Sequence, residues 1–335
     1  MSHWPAMVLT AGYGTRLRPL SDVRAKPAMP VAGEALVRRI LRGLASFGIT
    51  DAVLNLHHRP ESIVAAVGGG SDFGLRVRYS REDRILGTAG GPCKALALIA
   101  ADRFFILNGD TLTDVDLGAL ESEHRRTGAL VTMAVIQNPN PACYGGVIID
   151  AEGRVTAFSA KGPSNRGHLF VGCQIVEASV LAGLPAERPS ETVGEIYPRL
   201  IAERPGSVRA FLCGATFLDI GTPADYLATS LRVARREGGP ARLRGARSTV
   251  ADGGRVARSV LWDDVTVEAG AELTECIVAD GVRVPAGARF HRLAIVSGAR
   301  VVPWAAEERV GELVVARFAA TPALEEVLSY DAEAS

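Results

Sequence analysis

The string Leu9-Thr10-Ala11-Gly12-Tyr13-Gly14-Thr15-Arg16-Leu17-Arg18-Pro19-Leu20, followed by Lys26-Pro27-Ala28-Met29-Pro30-Val31, concentrates more chemistry than any other stretch of the chain. Glycines at 12 and 14, directly after a short apolar run, let the main chain approach a ligand, and exposed N–H groups there can cradle phosphate oxygens. Arg16 and Lys26 bring positive charge to the same anion. The spacing excludes a Walker A loop, which needs GxxxxGK[ST], and a GxGxxG fingerprint, because only Gly12 and Gly14 are present. Two aspartates close apolar runs elsewhere: Asp110 in Phe104-Phe105-Ile106-Leu107-Asn108-Gly109-Asp110, and Asp219 in Phe217-Leu218-Asp219-Ile220-Gly221-Thr222-Pro223. A carboxylate at the carboxyl edge of a sheet is where ligands of open α/β sheets bind. Each also has a local alternative, Asp110 as a turn residue and Asp219 as a helix N-cap, and Asp116 is placed to cap the helix read over 117–126.

The full pattern GxGTRLxPL…KPxxPV resembles that of the sugar-phosphate nucleotidyltransferase family, whose members make GDP-mannose, dTDP-glucose, UDP-glucose or ADP-glucose. The resemblance covers nearly the whole chain: a catalytic domain over 1–236, a linker over 237–249 and a hexapeptide-repeat tail with a C-terminal cap over 250–335. It implies an α/β, Rossmann-like domain with a mixed sheet, followed by a short left-handed parallel β-helix. By that resemblance Arg16 contacts the triphosphate and steadies the transition state, and Lys26 binds phosphate oxygens. Asp110 and Asp219 share Mg²⁺, a cation that suits one or two carboxylates plus phosphate oxygens. Leu9, Ala11, Gly12, Gly14 and Thr15 bind nucleotide, as does the loop Gly87-Thr88-Ala89-Gly90, which corresponds to the family's nucleobase-binding segment. Tyr144-Gly145-Gly146 matches a segment near the sugar ring, so Gly145 joins the sugar-phosphate side with Lys161. Here the chain departs from the family: Phe158-Ser159-Ala160-Lys161-Gly162-Pro163 stands where FxEKP is usual, and Ala160 lacks the acid that reads sugar hydroxyls. Glu195 is the carboxylate offered in its place. GTP and mannose 1-phosphate, giving GDP-mannose, are the favoured substrates. A UTP- or dTTP-dependent enzyme acting on glucose, heptose or muramate phosphates, and a non-catalytic nucleotide-sugar sensor, are the alternatives.

These residues need a scaffold. Residues 6–9, 52–56, 75–79 and 103–107 read as buried strands. Helices read over 34–47, from Pro60, and over 92–99, and strands alternating with helices argue for a parallel sheet covered on both faces. After 130 the strands 130–136, 145–149 and 155–158 shorten and turn antiparallel, and a helix (193–203), a strand (208–213) and a helix from Pro223 follow. The last third repeats. Residues 269–284 lie over 286–301 at an offset of 17 with six identities, and 252–267 fits the same offset through Val256, Val260, Val265 and Val267. Small aliphatics and turn glycines at that period indicate coils with three short faces. The apolar 313–318 and the Thr321-Pro322 helix start are read as a cover for the open end of these coils, since an unpaired edge invites pairing.

Composition narrows the partners. Lysine plus arginine and aspartate plus glutamate stand at 37 each in 335 residues, so no global field attracts nucleic acid or an anionic membrane. The start Met-Ser-His-Trp-Pro has neither a basic n-region nor an apolar h-region, and no apolar run approaches the ~18 residues of a membrane span. Five cysteines without a CxxC pair support neither zinc nor a disulfide framework and fit a reducing cytoplasm. No HxH or HxxxH metal spacing and no GxSxG elbow occurs. Self-association is compatible with the sequence.

Overall fold

The computed structural model describes residues 4–185, 187–299, 301, 303 and 307–333. Residues 1–3, at the start of the sequence, and Arg300 in the third repeat lie outside them. The chain forms two compact units, one of Met1–Gly12, Arg39–Pro60 and Val67–Leu218, the other of Tyr13–Arg38, Glu61–Ala66 and Asp219–Ser335.

The first unit is built on a seven-stranded mixed sheet. In chain order its strands are β1 (Ala6–Leu9), β2 (Asp51–Leu56), β3 (Arg76–Arg81), β4 (Arg103–Asn108), β5 (Val131–Ile136), β6 (Leu169–Glu177) and β7 (Val208–Leu212), arranged β7-β5-β6-β4-β1-β2-β3. Strands β4, β1, β2 and β3 are mutually parallel, as are β7 and β5, whereas β6 runs antiparallel to both β4 and β5. Strand alternation sorts the side chains to two faces. Phe104 and Ile106 join Met7, Val53, Met133 and Val176 under Ala89, Ala95 and Ile99 of the helix Gly87–Ile99. Phe105 points the other way, its ring 6.0 Å from Phe47 of the helix Leu36–Phe47. A hairpin of Gly146–Ile149 and Val155–Ser159 and a two-stranded sheet of Thr111–Thr113 with Phe217–Asp219 complete the strands.

In the first unit, β6 and the helix Gly87–Ile99 differ most from the sequence reading. Strand β6 was not legible: Gly172 and Gln174 interrupt its apolar run, and its pairing with β5 shifts register between Phe170 and Gln174. Gly172, at φ +81°, is required, because a Cβ there would lie 2.9 Å from the Asn108 side chain. The helix read over 92–99 begins at Gly87, so the glycine-rich segment is its first turn.

In the second unit the 17-residue offset is the pairing register. Arg255–Ala257, Glu272–Thr274 and Arg289–His291 pair in parallel, Val260–Leu261 pairs with Ile277–Val278, and Thr249–Val250 with Thr266–Val267 and then Arg283–Val284. Val267, Leu273, Val278, Val282, Val284 and Ile295 fill the interior. Leu313–Arg317 pairs antiparallel with Leu293–Ser297, as a cover for that edge should, but the helix Pro322–Glu333 packs on the helix Pro223–Arg236 instead. The segment read as a linker contains the 3-10 turn Pro240–Leu243 and ends on Thr249, the first residue of the strand Thr249–Val250.

Candidate nucleotide site

In the first unit the carboxyl ends of β1 and β4 and the start of the helix Gly87–Ile99 enclose a cavity of about 240 Å³ lined by Leu9, Ala11, Gly12, Asn55, Ile85, Gly87, Thr88, Asn108, Asp110 and Glu191. Five residues expected on the nucleotide side therefore meet Asp110 in one place. Gly12 has nothing within 4 Å of where its Cβ would stand, so its surroundings leave room for a ligand at the main chain. Gly109 is held by its N–H to the Leu9 carbonyl, 2.9 Å, and a side chain there would collide with that carbonyl. This close approach aligns the Asp110 turn with the end of β1.

The helix start is capped from a distant segment. A helix leaves its first N–H groups without internal partners. Thr88 N–H and Thr88 Oγ1 donate to Glu191 Oε2 at 3.2 and 2.6 Å, and the Ala89 and Gly90 N–H groups donate to the Ser190 carbonyl at 2.9 and 3.2 Å. Gly87, at φ +77°, admits no side chain, because a Cβ would lie 2.6 Å from both Glu191 Oε1 and the Ser190 carbonyl. Ala89 and Gly90 are buried behind the wall and do not line the cavity. Below it, Glu82 accepts from Asn55 Nδ2 (2.7 Å) and from Leu86 N–H (2.8 Å), and Asn55 Oδ1 accepts from Thr10 N–H (2.7 Å).

The second unit holds Gly14, Thr15, Arg16, Lys26 and Asp219. Gly14, at φ +63°, opens the 3-10 turn Thr15–Leu17 that presents Arg16, and a Cβ on it would stand 3.4 Å from the Lys26 Cβ. Arg16 is exposed, whereas Lys26 is only 7% exposed. Gly221 brings Arg16 and Asp219 together: its Cβ would fall 2.9 Å from Asp219 Oδ2 and 3.3 Å from both Arg16 Nη atoms. Asp219 does not cap the following helix. Thr222 does, accepting from Asp225 N–H at 3.2 Å. Asp116 is a cap, accepting from Ala119 N–H, and Asp114 accepts from Thr216, so both are structural.

The residues expected on the sugar-phosphate side are all in the first unit and do not line the cavity. Gly145 and Lys161 are exposed, one before the hairpin's first strand and one after its second. The ring of Tyr144 stands edge-on to Phe217, centroids 5.4 Å apart. Glu195 lies in a π-helical turn, Thr192–Ile196, with Arg188 3.4 Å away.

The pattern described as Nucleotidyl transferase matches residues 5–236, and that of a GlmU-like, C-terminal hexapeptide matches 244–312. The chain belongs to the nucleotidyl transferase family. A mannose-1-phosphate guanylyltransferase of Mycobacterium tuberculosis is 33% identical over 261 residues, which is 76% of this chain and 72% of that protein. A UTP–glucose-1-phosphate uridylyltransferase of Synechocystis is 29% identical over 281 residues, 78% of this chain and 72% of its own. In fold, HddC from Yersinia pseudotuberculosis superposes with a TM-score of 0.61 at 23% identity, over 69% of this chain and all of that one. The nucleotidyltransferase therefore carries an α/β catalytic fold followed by a left-handed β-helix of hexapeptide type.

Glu191, Glu82, Asn55 and Asn108 were not singled out by sequence reasoning. Glu191 stands 103 positions from Thr88, so only tertiary structure reveals the pairing. No group of three or more His, Cys, Asp or Glu side chains able to hold a metal occurs among the described residues. Asp110 and Asp219 offer only carboxylate oxygen. Each, in its own unit, is a lone hard donor of the kind that Mg²⁺ takes beside waters and phosphate oxygens, and neither belongs to a four-ligand set of the structural-zinc kind among the described residues. No helix among the described residues is long and apolar enough to cross a membrane.

Proposed function

We propose that this nucleotidyltransferase joins GTP and mannose 1-phosphate to give GDP-mannose and pyrophosphate. The observation that carries the reading is the cavity in which Leu9, Ala11, Gly12, Gly87 and Thr88 line one space with Asp110. A phosphate oxygen of the acceptor attacks the α-phosphorus in line, and pyrophosphate leaves. The nucleophile is already anionic and needs no general base, so the barrier lies in bringing two polyanions together and in the charge that develops between them. Arg16 and Lys26 hold the triphosphate, and Lys161 the acceptor phosphate. Asp110 and Asp219 are the ligands assigned to Mg²⁺, which when bound supplies charge neutralisation to the phosphates. Lys26, almost wholly buried, has little freedom to move and so holds its charge in a fixed place.

Glu191 supports guanine over uracil. Its Oε2 is taken by Thr88, while Oε1 has no hydrogen-bond partner among the described residues. A carboxylate only accepts, and guanine presents N1–H and N2–H side by side where uracil presents a single N–H. The test is a pyrophosphate-release screen of ATP, GTP, CTP, UTP and dTTP against a panel of hexose 1-phosphates with Mg²⁺. Greatest turnover is expected with GTP and mannose 1-phosphate. Preference for UTP with glucose 1-phosphate would reassign the substrates. Near-normal turnover by Asp110→Ala would sink the mechanism, and nucleotide-sugar binding without any pyrophosphate release would make the protein a sensor.

A further inference from the structure

The β-helix tail is tied to the segment Tyr13–Arg38 that carries Arg16 and Lys26, within one compact unit. Arg24 reaches two consecutive coils at once. Its Nε donates to Asp280 Oδ2 at 2.6 Å, and its Nη2 donates to Asp263 Oδ2 and Asp280 Oδ1, each at 2.7 Å. The two carboxylates are 17 residues apart and stacked by the coil register, and the Asp263 N–H donates to Asp280 Oδ1 at 3.1 Å. Alone, a stacked aspartate pair would repel; with the fork of one guanidinium it becomes a receptor for a single arginine. The same guanidinium lies 5.5 Å from the centre of the fully buried Trp262 ring. Trp262 Nε1 donates to the Tyr226 hydroxyl at 2.9 Å, and that hydroxyl donates to the Pro30 carbonyl. The Lys26 segment is therefore gripped on both sides, at Arg24 and at Pro30. A further tie lies nearby: Arg18, two residues after Arg16, pairs with Asp22 at 2.6 Å and stands 3.8 Å from Glu307.

We infer that the β-helix is a positioning scaffold for the reaction, with Arg24, Asp263 and Asp280 holding the Arg16–Lys26 segment in its working geometry. This rests on the roles proposed for Arg16 and Lys26. Charge disposed toward a transition state acts only when it is fixed beforehand, so a loosened segment should lose turnover more than ground-state binding. Burial opposes the charge on Arg24, but the two aspartates outweigh it and the guanidinium stays firmly protonated.

The experiment compares the full chain with Arg24→Ala, Arg24→Lys, and Asp263→Asn with Asp280→Asn, at a temperature where thermal melts show each folded. Asp264→Asn, which loosens an exposed pair with Arg247 next to the network, serves as control. Arg24→Ala and the double Asn variant should each lose kcat about tenfold with KM changed less than threefold. Combining them should add less than a further twofold, since both remove one interaction. Arg24→Lys should recover part of the loss, and the control should stay within twofold. Hydrogen exchange at residues 15–29 should quicken in the two damaging variants only. Values of kcat within twofold of the parent in either would overturn the inference, as would exchange left unchanged. If the parent released no pyrophosphate with any substrate pair, the proposed reaction would fall, while the exchange measurement would still report whether the tail holds the segment.

Discussion

Gly221 shows how much of the chemistry depends on an atom that is missing. The helix start after Asp219 requires Thr222 and Pro223 for capping and for N1, but neither requirement explains a glycine before them. The reason lies in space: a methyl group at 221 would press on Asp219 Oδ2 at 2.9 Å and on the Arg16 guanidinium at 3.3 Å. Its backbone is not in the left-handed region, so the cost of Gly221→Ala falls on those two side chains and not on the main chain. We expect this variant to lose on the order of tenfold in kcat, the price of about 1 Å of misplacement being often larger, with a melting temperature within about 2 °C of the parent. Unchanged kcat would show that Arg16 and Asp219 need not keep that geometry. Glu191 supports a second prediction at this scale. Glu191→Gln keeps an acceptor for Thr88 but loses the charge and introduces an NH₂ that faces guanine's own donors. The ratio of kcat/KM for GTP over UTP should fall by about ten- to a hundredfold, as an unpaired donor in a binding site costs about 1–3 kcal/mol. A ratio that holds would place guanine recognition elsewhere.

At the scale of elements, the β-helix shows a rule that its sequence states openly. Arg258, Glu275 and Arg292 occupy the same corner of successive coils, each with positive φ (47°, 56° and 53°), where glycine would be the ordinary choice. Their charges alternate, and Glu275 pairs with Arg258 at 3.1 Å and with Arg292 at 2.6 Å. Burial works to raise the Glu275 carboxyl, but hydrogen bonds from Arg292 and Arg258 overcome it and hold the group below its ordinary value of 4.5. A depressed folded value means that the stabilisation is complete above about pH 4.5. It is lost as pH falls through the folded value. Glu275→Gln should therefore lower stability by about 1 kcal/mol at pH 7, a surface-like value because both arginines are a third or more exposed. The difference from the parent should narrow below pH 4, which thermal melts across pH can check; a constant difference would assign the effect to packing. The register of these coils was legible because a parallel coil pairs residue i with residue i+17, so the repeat is itself the contact map. The start of the helix Gly87–Ile99 was not, because its first turn is mostly glycine and small residues and is stabilised by Ser190 and Glu191 about a hundred positions away. The site divides the same way. Arg16, Lys26, Asp110 and Asp219, the residues proposed for catalysis, could be picked out because each sits in a local motif, whereas Glu191 and the Arg24 clasp exist only through the fold.

At the scale of the whole molecule, the order of the chain and the grouping of its contacts differ. The family pattern ends at 236, which invites a cut there, and such a fragment retains Arg16, Lys26, Asp110, Lys161 and Asp219. Yet Tyr13–Arg38 and everything from Asp219 onward form one compact unit. Removing 237–335 would strip Trp262 from Tyr226, leave Arg24 without Asp263 and Asp280, and uncover the helix Pro223–Arg236, on which Leu324 and Val327 of the last helix are buried. Arg232 would lose Glu326 at 3.1 Å, and the Arg235 guanidinium the Val327 carbonyl at 3.1 Å. Uncovering each large apolar side chain costs about 1.5–3 kcal/mol, and a few such losses equal the roughly 5–15 kcal/mol that keeps an ordinary protein folded. The 1–236 fragment should accordingly show low soluble yield, a broad melt in place of a cooperative one, and turnover at least tenfold below the full chain per molecule. Circular dichroism melts and pyrophosphate release on the purified fragment measure both. Parent-like melting together with parent-like turnover would show that the motif-bearing segments take their stability from the first unit alone. A sharp melt with turnover still lost would point instead to a tail that contributes geometry more than stability.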